Sequence, residues 1–267
     1  RNHGYNDWGL VNYYSENIDG KFFENQSLNN NPNLQRNTAY KQKDFIQKFN
    51  FKIFKTARLI LNFQFSESSN INRFDKLSEI NENGTLKFAE WYYGPQKRSF
   101  ISSKLSFQAK KLFERADIIF AFQKIDESRN KRKFGSNLLN IQDENLNVLS
   151  INSDFFKRID RQKSIAYGFE LTNNQLKSDG FESMINSDYM NISLSRYPND
   201  GSSYKSLAGY FNYKKFINPK TNYDIGLRIS NISIKANWDY NFFDSDHDDK
   251  YDTLFFQQFD GLEMTNS

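Results

Sequence analysis

The feature that most restricts this chain is strict two-residue alternation of apolar and polar side chains, repeated in one segment after another. In residues 59–65, Leu59, Leu61, Phe63 and Phe65 fall on one side, and Asn62 and Gln64 on the other with Ile60. Successive side chains of a strand point to opposite faces, so such a segment is a strand with one greasy face. The preceding segment repeats the pattern, with Phe45, Phe49, Phe51 and Ile53 against Lys48, Asn50 and Lys52. The five residues between, Phe54 to Arg58, are few enough for a hairpin turn.

The unit recurs down the chain. Ile101, Leu105 and Phe107 oppose Ser102, Lys104 and Ser106, and Ile118, Phe120 and Phe122 oppose Asp117 and Gln123. Ile165, Tyr167, Phe169 and Leu171 oppose Gly168, Glu170 and Thr172, while Tyr223, Ile225, Leu227 and Ile229 oppose Asp224, Gly226 and Arg228. Four hairpins are predicted, at about 45–65, 101–123, 147–172 and 207–230. With a strand from Trp8 to Tyr14 and another starting near Leu254, the expectation is about nine or ten strands. Each alternating run is about 9–13 residues, the length of a tilted strand that crosses a bilayer.

The connections follow a rhythm of their own. Those inside the hairpins are short, near 54–58, 110–115, 157–163 and 217–221. Those between hairpins are expected to be long loops, near 15–41, 67–98, 125–145, 174–204 and 236–251. Short turns on one side and long loops on the other is the asymmetry of outer-membrane barrels. The short turns carry Lys55, Arg58, Lys110, Lys111, Arg115, Arg158 and Arg161, with Phe54, Phe113, Phe156 and Phe216 beside them as candidates for an interfacial aromatic girdle. The predicted fold is therefore all-β: an antiparallel, up-and-down transmembrane barrel fragment. A soluble β-sandwich alternates too, because one face of each sheet is buried, but it has less reason to place its long loops on one side.

Composition agrees. Aromatics make up 17% of the chain and charged residues 25%, so it combines a polar average with a large aromatic surface. Disordered chains lack the aromatics, whereas a barrel with a wet lumen and a lipid-facing wall needs both classes. The 267 residues contain no cysteine, which excludes disulfide frameworks and thiolate metal sites. There are two histidines, His3 and His247, and no phosphate loop, nucleophile elbow or metalloprotease helix, so the chain does not read as an enzyme and calls for no cofactor. The net charge of +4 is spread along the chain, and lysines and aromatics fall on opposite strand faces, so nucleic acid is not an expected partner. The chain opens at Arg1 with no basic-then-apolar leader, and it reads as a stretch of a longer protein.

A resemblance enters with the loops. They contain Arg73-Phe74-Asp75-Lys76-Leu77, Ala89-Glu90-Trp91-Tyr92-Tyr93-Gly94-Pro95-Gln96-Lys97-Arg98, Glu127-Ser128-Arg129 and Arg132-Lys133-Phe134-Gly135. The strand Tyr167 to Leu171, then Arg196-Tyr197-Pro198-Asn199-Asp200-Gly201-Ser202 and Gly226-Leu227-Arg228 complete the series. This succession, over about residues 40–235, resembles the barrel region of TonB-dependent outer-membrane receptors of the Bacteroidota type, closest to the branch labelled haem or haemoglobin receptors. The resemblance implies a barrel of about 22 strands around an N-terminal plug. It also implies import of a scarce nutrient, an iron chelate or haem first among them, across the outer membrane of a Gram-negative bacterium. Partners would be the TonB complex acting through the plug, lipid and lipopolysaccharide, and the nutrient ligand or its carrier protein. Residues 1–267 would be one partial outer-membrane barrel domain, with the plug domain, the TonB box and the remaining strands outside it. The acidic stretch near 244–252 departs from the pattern. The alternatives are a passive porin-like or adhesive barrel, and a soluble extracellular β-rich binding module.

Three groups are candidate sites. Trp91, Tyr92 and Tyr93 lie in a long loop, where they either stack on a flat ligand or sugar or pack the loop against its neighbours. Arg196 and Tyr197 precede Pro198, and the guanidinium suits an anionic chelate or a loop salt bridge. Asp244, Asp246 and Asp248 supply alternate carboxylates of the kind a Ca²⁺ ion takes. The EF-hand pattern fails there, because its glycine and glutamate positions hold Asp249 and Phe255.

Overall fold

Residues 10–18, 21–29, 31, 34–109, 111–239 and 262–266 are described by a computed structural model of the chain. Among these residues fourteen strands and one single-turn helix follow in order. They are β1 (Leu10–Ile18), β2 (Lys21–Leu28), β3 (Gln42–Phe54), β4 (Ala57–Ser68), β5 (Ile71–Asn72), α1 (Phe74–Leu77), β6 (Phe88–Tyr93) and β7 (Lys97–Phe107). Then come β8 (Arg115–Lys133), β9 (Leu138–Arg158), β10 (Lys163–Met184), β11 (Met190–Ile192), β12 (Ser202–Asn218), β13 (Thr221–Ala236) and β14 (Leu262–Asn266). β1 and β2 form a separate hairpin. The other twelve strands make one antiparallel sheet with the path β14-β13-β12-β10-β9-β8-β7-β4-β3, while β5, β6 and β11 pair off it. The path is an up-and-down meander, and it is open: β3 pairs only with β4 among the described residues.

The four expected hairpins are the pairs β3–β4, β7–β8, β9–β10 and β12–β13. The short turns also stand where the sequence puts them. Of the long connections, the one near 67–98 stands between β4 and β7 as expected, but those near 125–145 and 174–204 are shorter than expected. Residues 125–145 are not a loop, because β8 and β9 stay paired up to Arg132↔Leu139 and turn over Phe134 to Asn137. Likewise β10 runs unbroken to Met184, inside the region expected to be loop. The strands are thus longer than expected, 19 residues in β8, 21 in β9 and 22 in β10. Apolar alternation fades beyond about residue 124, but backbone pairing needs no apolar side chain, so the ladder continues. β1 begins at Leu10 and pairs with β2 rather than the main sheet. Trp8 and the strand expected near Leu254 lie outside the described residues.

The register sorts the side chains by rung. One rung runs Phe51, Leu59, Leu105, Ile118, Ser153, Phe169, Gly209, Ile229. The next rung on that face holds Phe49, Leu61, Phe120, Ile151, Leu171 and Leu207. The opposite face carries Lys52, Arg58, Ser106, Asp117, Asp154, Tyr210 and Arg228 along a single rung. Two ion pairs form on this face, Lys104 with Asp117 at 3.3 Å and Arg228 with Glu170 at 2.7 Å. At the short-turn end the apolar face carries aromatics in contact. Phe113 lies 5.3 Å from both Phe107 and Phe155, and Phe155 stacks on Tyr167 at 5.1 Å. Of the four girdle candidates Phe113 joins this cluster. Phe156 does not, because it is one residue out of phase with Phe155 and lies beside Arg115 instead.

The long strands enclose almost no core. Among the described residues the buried apolar ones are Leu77, Leu86, Ala89, Trp91, Ala116 and Ala208, and the first four belong to the connection between β4 and β7. By contrast Phe120, Phe122, Phe169, Leu207, Phe211, Ile225, Leu227 and Ile229 stand exposed on the apolar face.

Gly168 makes one cross-strand fit on the polar face. The Tyr210 ring lies over its backbone, and the Tyr210 hydroxyl donates to Asp154 beyond it. A Cβ at Gly168 would fall within 2.7 Å of Tyr210 Cε1 and closer still to the Ser153 carbonyl oxygen. The backbone contact cannot swing away, so Gly168→Ala is expected to destabilise the sheet by about 3 kcal/mol. Denaturant titration against Tyr210→Leu, which removes the ring but leaves the backbone clash, separates the two contributions.

Candidate functional site

The sequence candidates lie where the sheet rises past the apolar band. At this level the two faces exchange character. On the formerly polar face Ile125, Leu146 and Leu176 share a rung, while the other face turns to Lys124, Asn147 and Gln175. The next rung above Ile125 on its face is Glu127, Glu144 and Ser178, and the one above that is Arg129, Gln142 and Gly180. Charged side chains here therefore stand on an apolar floor.

Two outlying pieces of chain close over this face. The first is the β5–β6 hairpin with α1. Its geometry depends on Gly94, whose φ of 102° lies where side chains with a Cβ rarely go. The Gly94 stretch inserts one extra residue between β6 and β7, shifting the register on β8 from Lys97↔Asp126 to Tyr93↔Arg129. Ser128 holds the bulge, accepting from the Gly94 N–H at 3.0 Å and donating its hydroxyl to the Gly94 carbonyl at 2.8 Å. The second piece is the segment 193–197 after β11. The Ser193 N–H donates to the Gly180 carbonyl at 2.9 Å, Gln142 donates to the Leu194 carbonyl at 3.4 Å, and the Tyr197 N–H donates to Ser178 Oγ at 3.3 Å. A Cβ at Gly180 would overlap the backbone of Ser193 and Leu194, so this glycine is what lets the segment lie flat on the sheet.

The structure gathers four of the five ligand candidates around one charge cluster. Trp91 and Tyr93 make an edge-to-face pair at 5.1 Å. The Arg73 guanidinium lies 4.9 Å from the Trp91 ring centre and that of Arg129 5.4 Å from it, within cation–π range. Tyr93 Oη accepts from Arg73 at 3.0 Å. Trp91 is 7% exposed, so its ring packs the hairpin and its surroundings are already filled by protein cations. Tyr92 opposes Asn130 and so points to the other side. Burial, helped by Glu90, raises its hydroxyl above the usual tyrosine range. Arg196 stacks on Tyr197 at 5.2 Å and reaches Glu127 at 3.8 Å.

Between the two groups sits Glu144, a residue that alternation does not single out. It is 5% exposed, and neither carboxylate oxygen has a hydrogen-bond partner among the described residues. Burial on the apolar floor pushes its carboxyl up to about 7, with Arg196 and Arg129 opposing that rise and Glu127 and Asp143 adding to it. Arg129 Nε is likewise buried without a partner. The cluster offers guanidiniums and a protonatable carboxylate beside aromatic rings, a set able to hold a polar or anionic ligand by charge and hydrogen bonds. No group of three or more potential metal ligands occurs among the described residues, and Asp244, Asp246 and Asp248 lie outside them.

A second charge cluster ties the β1–β2 hairpin down. Arg132 is fully buried and donates to Glu24 and Glu90, both at 2.8 Å, and to the Ser136 carbonyl at 2.7 Å. Glu24 also accepts from the Gly135 N–H at 2.6 Å in the β8–β9 turn.

Comparison with known proteins finds no family model that matches the chain and no matching curated protein or solved structure.

Two outcomes follow from this geometry. Arg132→Ala leaves Glu24 buried without its cation, and is expected to cost about 3–5 kcal/mol locally and free the β1–β2 hairpin. Limited proteolysis between Leu28 and Lys41 would report the release. Glu144, held at about 7 against an ordinary 4.5, keeps a proton in the folded protein that the unfolded chain gives up. Its contribution to stability is therefore greatest below about pH 4.5 and is lost as pH rises to 7, by about 3 kcal/mol at most. Glu144→Gln should flatten that dependence, read as hydrogen exchange of the 193–197 amides across this pH range.

Proposed function

We propose that this chain is a run of wall, with its outer rim, from a 22-stranded TonB-dependent outer-membrane receptor that imports a scarce nutrient, an iron chelate or haem foremost. The observation that carries the reading is the uncovered apolar face. Phe, Leu and Ile stand exposed on seven of the eight strands of the meander, and those strands pack almost no core of their own among the described residues. A soluble protein rarely leaves more than a few hundred square ångströms of contiguous apolar surface in water. Hydrocarbon outside the sheet removes the conflict, and between the two edges of the sheet the backbone of the band is paired along the ladder.

The other features take consistent roles. The polar rungs with Lys104, Asp117, Glu170 and Arg228 face a wet lumen. The aromatic cluster around Phe113 and Phe155 marks the periplasmic boundary beside the short turns. The long paired extensions rise on the outer side, and the Arg129, Glu144 and Arg196 cluster lines the lumen above the membrane, where incoming ligand would first meet charge. Specificity for the cargo would reside there and in the plug. The open edges of the sheet, β3 at one end and β13 with its short partner β14 at the other, are where the remaining strands would pair.

Cell fractionation with ligand uptake tests the proposal. The protein should sediment with the outer membrane and need detergent for release. A deletion strain should lose uptake of one iron source, and collapse of the inner-membrane proton gradient should abolish that uptake in the parent. Uptake that survives the collapse would favour a passive or adhesive barrel. A cooperative, detergent-free soluble monomer would overturn the membrane reading altogether.

A further inference from the structure

The 193–197 segment is lightly fastened over a buried acid. Three hydrogen bonds tie it to the sheet, from the Ser193 N–H to Gly180, from Gln142 to Leu194 and from the Tyr197 N–H to Ser178. The loose Arg196–Glu127 pair at 3.8 Å adds little. Level with Ser178 stands Glu144, 5% exposed and with neither carboxylate oxygen hydrogen-bonded among the described residues. Two cations stand near without reaching those oxygens. The Arg129 guanidinium lies over the Trp91 and Tyr93 rings at 5.4 and 5.5 Å, and Arg196 lies on Tyr197. Glu127 on β8 and Asp143 on β9 add negative charge, while the facing stretch of β10 brings the uncharged Leu176, Ser178 and Gly180.

We propose that the 193–197 segment is a proton-released strap, closed while Glu144 is protonated and lifted when the carboxylate ionises. A buried carboxylate without a partner is costly, and lifting the strap lets water solvate it. The closed state holds the Glu144 proton up to about pH 7, whereas a solvated carboxyl gives it up near 4.5. Closure is therefore favoured at low pH, and the ratio of open to closed grows about tenfold per pH unit between about pH 5 and 6.5. Lifting also changes what this face can hold. A groove of about 200 Å³ beside the strap has Ile125 on its floor, with Gln42, Ser66, Arg98 and Glu127 around it. Leu146 and Leu176 continue that floor on the same rung. Arg196 meets Glu127 at the edge of the groove, so release of that pair joins the groove to the apolar strip beyond. The strap depends on local geometry alone and stands whether the opposite face meets lipid or water.

Electron paramagnetic resonance distances on the full chain in mild detergent test the strap. Nitroxides go on Leu194→Cys and Gln175→Cys, two exposed positions in a chain that has no cysteine of its own. A short, narrow distance at pH 5 should give way to a longer, broad one at pH 8. Glu144→Gln, which keeps the shape and cannot ionise, should hold the short distance at both. Gly180→Ala puts a Cβ against the backbone of Ser193 and Leu194 and should give the long distance at both. A distance that does not change with pH in the otherwise unaltered chain overturns the strap. So does an alkaline opening that persists in Glu144→Gln. Opening on acidification overturns it as well and transfers the hold to the Arg196–Glu127 pair, in which case Glu127→Gln stays open throughout.

Discussion

Everything in this molecule hangs on the unbroken ladder between β9 and β10. Their register runs without a shift from Arg158↔Ser164 to Leu138↔Met184. Neither strand has a core to lean on, so the backbone hydrogen bonds and the cross-strand pairs are what keep them together. Because the register never slips, each side chain's face is fixed over the whole length, and a one-residue error would turn charges such as Asp154 and Glu170 to the greasy side. The same ladder continues through β8 and β12, and it sets where Glu144, Gly168 and Gly180 can stand.

A constant register does not mean a constant environment. Up to about Phe122, Leu149 and Leu171 one face is apolar and the other charged; above them Ile125, Leu146 and Leu176 put grease on the other side. In the barrel reading the first half of each strand solves the problem of lipid outside and water inside. The second half solves a different one, in which segments such as 193–197 must be docked on the inner face. The desolvated Glu144 is a product of that second solution.

The four hairpins were legible because lipid-like and water-like faces force alternation, and alternation is visible in a string of letters. The upper halves of β8, β9 and β10 were not. There both faces carry mixed side chains, as in Asp126-Glu127-Ser128-Arg129-Asn130, so the pattern reads as loop although the backbone is paired. Trp91 and Arg196 stand out in the sequence as an aromatic and a cation between the hairpins, and they lie at the same cluster. Its centre, Glu144, was invisible. Its burial depends on Gly180 admitting a segment that follows only after another turn, and nothing local to Asp143-Glu144 signals that. Phe156 misses the aromatic cluster by one residue, since Phe155 and Phe156 are adjacent and only the register decides which of them faces it.

The four-residue turn from Phe134 to Asn137 has a mechanical consequence. From Leu146 to Leu138 the β9 strand stands beyond the apolar band for about 30 Å of paired backbone. In the barrel reading a rim made this way behaves as a stiff collar rather than a fringe: to fold inward, it must tear ladder bonds one rung at a time. Opening and closing of the mouth would then fall to the parts fastened mainly by side chains and single hydrogen bonds. These are the 193–197 segment on its Gly180 seat and the β1–β2 hairpin on its Arg132 pin.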